Sequence, residues 1–155
     1  MEIEKRLTML QNTYAASIAE IVNTYDRLKV LDTIVEKRRL RQAQTAPYIN
    51  EQLGITCVED VFIKLSEVYG CANWSVEKAE EEYIATASTC KLCALSKKMG
   101  GASPCSGWCL DPMTAMLIAA CKIDLDNIKV KSTLQSGDCC KVIILKKNND
   151  RKFKE

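Results

Sequence analysis

Histidine is absent from all 155 residues. That absence excludes a Ser-His-Asp triad, a Cys-His nucleophile pair, a histidine-ligated zinc and an imidazole general base. Chemistry here must rest on thiolates, carboxylates, lysines, tyrosines or a bound cofactor. Long apolar runs are missing too. The longest uncharged stretch, residues 99–110, is too short and too glycine-rich to span a bilayer. No apolar run follows Met1-Glu2-Ile3-Glu4-Lys5-Arg6, so the sequence predicts a cytoplasmic chain with no signal peptide and no membrane partner. A charge excess is lacking as well: 22 basic against 20 acidic side chains leave +2, too even a balance for a polyanion-binding surface, and no nucleic-acid partner is expected. No internal repeat or low-complexity block interrupts the chain, whose length suits one domain.

What the chain does have is nine cysteines, within a composition of 47% hydrophobic and 27% charged residues that is ordinary for a globular protein. In a reducing compartment a cysteine cluster points to metal binding, catalysis or redox chemistry rather than to a disulfide framework, and the odd count agrees.

Hydrophobic patterning predicts an α+β fold. The domain is expected over residues 1–145, helical through residue 70 and built on a cysteine-rich sheet over 71–145. Ile3, Leu7, Leu10, Tyr14, Ile18, Ile21, Tyr25 and Leu28 form one stripe at the helical period, which Leu31, Ile34 and Val35 continue after a bend. Pro47 and Gly54 punctuate the next stretch, and residues 58–65 fit a short helix ended by Gly70. Four mostly antiparallel strands are predicted: around Trp74 and Val76, over 83–88, over 128–134, and over 140–145 after a hairpin at Gln135-Ser136-Gly137-Asp138. Two helices, near 91–99 and 112–122, fall between the second and third strands, with a Gly/Pro-rich loop over 100–109. Asp111 suits an N-cap and Pro112 a first helical position. Residues 146–155 read as a flexible basic tail whose net +3 exceeds that of the whole chain.

Six cysteines form three pairs: Cys90 with Cys93, Cys105 with Cys109, and Cys139 with Cys140. Two of these pairs stand at predicted helix starts, where unpaired amides and the helix dipole favour anions, lower thiol pKa and prepare a site for a carboxylate. Cys140 shares strand parity with Val142 and Ile144 and so points inward if that face is buried. The candidate metal ligands are therefore Cys90, Cys93, Cys105, Cys109 and Cys140, with zinc favoured over an iron-sulfur cluster. Asp111 is a candidate for proton handling, and Lys91 and Trp108 for substrate binding. Cys57, Cys71 and Cys121 read as small buried hydrophobes, with Cys139 undecided. Thiol-disulfide exchange at Cys90 and Cys93 is a weak third possibility, because the alternating βαβ setting is absent.

The order Cys90-x-x-Cys93, Gly100, Pro104-Cys105, Cys109-x-Asp111, Ser132-Thr133-Leu134 and Gly137-Asp138-x-Cys140-x-Val142 resembles the L-2-amino-thiazoline-4-carboxylate hydrolase-like family. The closing strand is also similar to the 4-vinyl-reductase-type small-molecule-binding domain. The resemblance covers roughly residues 85–145, and the sequence departs from it at Val142 and in the extra Cys93, Cys105 and Cys139. It implies either of two activities. One is ring opening of a small carboxylate, with Cys109 or Cys140 as nucleophile or ligand and Asp111 moving protons, so that Cys109, Asp111 and Cys140 form the catalytic set. The other is a zinc-holding sensor for an apolar or aromatic molecule, without catalysis. In the sensor reading the N-terminal helix serves homodimerisation.

Overall fold

A computed structural model describes residues 1–146. Apart from Lys146, the predicted basic tail lies outside the described residues. Three helices come first: α1 (Ile3–Arg27), α2 (Leu31–Leu53) and α3 (Val58–Tyr69). The hairpin β1 (Ala72–Lys78) and β2 (Glu82–Cys90) runs directly into α4 (Lys91–Met99). A π-helical turn, Ser106–Leu110, continues into α5 (Asp111–Cys121), and a 3-10 turn, Leu125–Asn127, leads to β3 (Ile128–Ser132) and β4 (Cys140–Leu145). The strands form one antiparallel sheet in the order β1-β2-β4-β3. This is the α+β arrangement the patterning predicts, with α4 and α5 between the second and third strands. None of the described helices is long and apolar enough to cross a membrane.

One face of the sheet is buried. Cys140, Val142 and Ile144 alternate inward on β4, paired with Ala87, Ala85 and Tyr83 of β2. The alanines on this central strand leave room for bulk from the helices, and Phe62, Met113 and Leu117 join Val142 and Ile144 in the main core. Phe62 also meets Trp74 of β1 with ring centroids 5.1 Å apart. The other face is mixed: Ile84 and Ile143 pair there half-buried, and Ser75 and Thr86 are hydrogen-bonded across the first hairpin. β3 lies at the sheet edge and exposes Lys129 and Lys131.

Three local expectations are corrected. Helix α2 does not stop near Pro47 but carries it inside and ends at Leu53 before Gly54, which caps it at φ 68°. Tertiary packing overrides the proline: Ala46 and Asn50 are buried, and the Asn50 amide donates to the Met116 carbonyl of α5 at 3.1 Å. Asp111 is not an N-cap, because the π turn already supplies the helical turn before it and leaves Asp111 inside α5. On α1 the fully buried residues are Ala15, Ala19 and Val22, whereas Ile3, Leu7 and Leu10 of the predicted stripe are exposed. Small side chains let α4 approach α1 closely, and that contact selects the face α1 buries.

Candidate functional site

The site begins where β2 becomes α4. A bulge in β1 between Ala72 and Trp74 frees the Asn73 side chain, whose Oδ1 accepts from the Ser88 and Thr89 amides at 3.1 and 2.9 Å. The Lys91 amide donates to the Cys71 carbonyl at 2.8 Å, so the end of β2 stays tied to the end of α3. Cys90 is then the N-cap of α4, with extended backbone, and its sulfur accepts the Cys93 amide at 3.4 Å.

Cys105 reaches this point through the loop after α4. Gly100 has φ 146°, and a Cβ there would lie 2.7 Å from Asn23 Oδ1, so both the backbone angle and the close approach require glycine. The buried Asn23 holds the loop: its Nδ2 donates to Ser96 Oγ at 3.1 Å and to the Ser96 carbonyl at 3.2 Å, while Oδ1 accepts the Ala102 amide at 2.9 Å. Ser96 Oγ in turn donates to the Ala102 carbonyl. With α4 and the loop fixed together, Cys93 Sγ and Cys105 Sγ stand 3.6 Å apart.

Cys109 is supplied by the π turn, which is braced by α2. The Gly107 carbonyl accepts from Arg38 Nε at 3.1 Å and Gln42 Nε2 at 2.8 Å. Cys140 comes from β4, where its sulfur accepts the Leu134 amide at 3.2 Å. Cys90, Cys93, Cys105, Cys109 and Cys140 thus line one cavity, closed by apolar side chains such as Leu92 and Pro104. Its volume is about 10 Å³, near the least that holds one water. On the outer side Cys90 and Cys93 also line an open cleft of about 710 Å³, together with Cys71, Asn73, Lys91 and Lys97.

Electrostatics divide the five thiols into two kinds. Cys93 is a neutral donor: its pKa is raised because its S–H is shared with Cys105 and Cys90, with burial adding to the effect. A hydrogen bond from the Cys93 side chain, helped by the Cys93 and Leu92 amides, lowers Cys90 to about 7, against burial. The Cys93–Cys105 hydrogen bond lowers Cys105 to about 6, again against burial, helped by the Ser103 and Thr133 hydroxyls and the charge of Lys97. Burial pushes Cys109 well above its ordinary value and also raises Cys140, which the Leu134 amide only partly offsets. Cys90 and Cys105 are thus pushed toward the thiolate, and Cys93, Cys109 and Cys140 toward the thiol.

The other candidates are placed differently. Lys91 lines the cleft, where its ammonium donates to Asn12 Oδ1 at 2.8 Å. Asp111 lies outside both the cavity and the cleft, with Oδ2 3.3 Å from Arg39 Nε, and burial raises its pKa more than Arg39 lowers it. Trp108 is buried beside Ala19, Val22 and Leu92, with the Arg38 guanidinium 4.6 Å from its ring centroid. Cys57 and Cys121 face a separate hollow of about 260 Å³. Cys71, read from sequence as a core filler, borders the cleft, and burial pushes its thiol up to about 11. One feature escaped the sequence reading: Lys97 at the cleft. The spacing of Cys90, Cys93, Ala94 and Lys97 at three, four and seven residues carried that signal, since it sets one face of α4 toward the cleft.

Zinc held by four thiolates needs sulfurs roughly 3.5–4 Å apart, as follows from Zn–S bonds of about 2.3 Å. The Cys93–Cys105 pair has that spacing, but among the described residues no group of three or more cysteine or acidic side chains stands close enough to hold a metal ion. As placed, the thiols offer two sulfurs rather than a closed four-thiolate set. No family model matches the chain, and no curated protein or solved structure matches it either.

Proposed function

We propose that this chain binds a small carboxylate in the cleft at the start of α4 and acts on it through the Cys90 thiolate, in the manner of a thiazoline-carboxylate ring-opening hydrolase. The reading rests on one observation: Cys90 and Cys93 stand in the wall between the thiol-lined cavity and a cleft that Lys91 and Lys97 border. The lysines attract the carboxylate, and the Cys90 thiolate attacks the electrophilic ring carbon of a cyclic amidine. Cys93, whose proton is already directed at its neighbours, protonates the departing ring nitrogen; water then attacks the same carbon, Cys90 leaves as thiolate, and the proton released by the water returns to Cys93. This assigns to Cys90 and Cys93 the roles first expected of Cys109, Asp111 and Cys140. Burial holds Cys109 and Cys140 protonated, and Asp111 lies elsewhere.

Incubation with 2-amino-thiazoline-4-carboxylate, followed by chromatography of the ring-opened product, tests the proposal. Turnover is expected to disappear in Cys90→Ala and to show a raised KM in Lys97→Ala. Undiminished turnover in Cys90→Ala would overturn it. The zinc-holding sensor alternative requires Cys90, Cys109 or Cys140 to close onto the Cys93–Cys105 pair, and about one zinc per purified chain would favour it.

A further inference from the structure

We propose that Cys90, Cys93 and Cys105 form a three-thiol relay that reduces hydroperoxides entering the cleft and stores the oxidation as a Cys93–Cys105 disulfide. Two contacts link the three residues. Cys90 caps α4 at the cleft wall, its sulfur 3.4 Å from the Cys93 amide, and Cys93 Sγ lies 3.6 Å from Cys105 Sγ. Cys90 and Cys93 line the solvent-open cleft, whereas Cys105 lines only the inner cavity behind them. An oxidant arriving from solvent therefore meets Cys90 or Cys93 before Cys105. Of these two, Cys90 is the N-cap of α4, where its sulfur accepts the Cys93 amide and the helix N-terminus favours a negative sulfur.

The chemistry closes with the hydroperoxide as sole oxidant. The Cys90 thiolate attacks the terminal peroxide oxygen, the O–O bond breaks, and the alkoxide leaves as an alcohol after taking a proton from water; Cys90 becomes a sulfenic acid. The Cys93 thiol then displaces hydroxide from that sulfur, with its own proton completing a water molecule, and a Cys90–Cys93 disulfide forms. The Cys105 thiolate next attacks Cys93 and expels Cys90 as thiolate, which moves the disulfide inward. Two equivalents of a small external thiol restore the starting state and leave as their own disulfide. None of these steps uses the proposed carboxylate ligand, so the inference stands or falls separately from the hydrolase reading.

The test uses the reduced full chain, one equivalent of hydrogen peroxide, alkylation of the remaining thiols, and tryptic peptide mapping with fragmentation. Cleavage after Lys91 puts Cys90 and Cys93 on different peptides, so every linkage among the three is readable. The expected main product joins Cys93 to Cys105. Cys105→Ser is expected to stop at Cys90–Cys93, and Cys90→Ser to slow disulfide formation by about tenfold or more. Wild-type linkage at Cys109, at Cys139 or at Cys140 in place of these pairs, or oxidation to sulfinic acid without any disulfide, would overturn the relay. So would a Cys90→Ser chain, folded by circular dichroism, that oxidises at the wild-type rate. The wild-type linkage map decides the matter even where a variant does not fold.

Discussion

Replacing Asn23 by alanine probes the device that holds the thiol site together. Asn23 is 3% exposed and joins α1 to α4 and to the loop that delivers Cys105. Its removal leaves the buried Ala102 amide without an acceptor, which costs about 1–3 kcal/mol. Loss of the donor to Ser96 adds about 0.5–1.5 kcal/mol, so the expected destabilisation is about 2–4 kcal/mol. Urea unfolding followed by circular dichroism measures it: the midpoint should fall by roughly 1–2 M with the slope unchanged. The same variant loosens the loop that seats Cys105 against Cys93, so the pH at which Cys105 becomes half-alkylated should rise from about 6 toward its ordinary 9.0. A stability loss below about 0.5 kcal/mol, or an unchanged alkylation profile, would refute the account of the loop anchor.

Stability should rise with pH from about 6, peak near pH 9 and fall above it. Cys90 and Cys105 are lowered from 9.0 to about 7 and about 6, so the stability their thiolates add is complete above pH 9.0 and is lost as pH falls through those values. Cys71 and Cys121 are raised from 9.0 to about 11 by burial, so their contribution is complete below pH 9.0 and is lost as pH rises through 11. Urea midpoints measured across this range check both limbs, and a flat profile would contradict them. Phe62→Ala, at a fully buried position, should cost about 3–5 kcal/mol in the same unfolding assay. Asp111→Asn should change stability by less than about 1 kcal/mol, since its partner Arg39 is half exposed, and should leave thiol alkylation rates unchanged.

Much of the fold was legible because local chemistry and tertiary packing agree there. The alternation of Cys140, Val142 and Ile144 places those residues inward whatever covers them, and Gly70 ends α3 as its left-handed conformation requires. Sequence failed where a distant contact decides. The buried face of α1 is set by which of its sides α4 can approach, and the Ala15 and Ala19 that permit it leave no apolar signature comparable to Ile3 or Leu7. Pro47 looks like a helix end until Asn50 is seen holding α5.

For the site, the grouping of five cysteines followed from helix starts and strand parity. The division into thiolates and thiols did not, because it depends on which sulfur receives the Cys93 proton. That is a matter of tenths of an ångström. Asp111 was singled out for its position beside Cys109, yet the π turn rotates the chain so that its carboxylate meets Arg39.

The edge strand β3 bears on how copies of this chain meet. Among the described residues no strand pairs with the outer side of β3, and an unpaired strand edge is the usual starting point for sheet extension and fibril growth. Lys129 and Lys131 stand exposed along it. A second β3 laid against the first would bring like-charged ammonium groups side by side, so end-to-end sheet growth meets a repulsion that strengthens as salt is removed. The lysines of this strand thus help to keep the molecule dispersed while its cysteines remain available for chemistry.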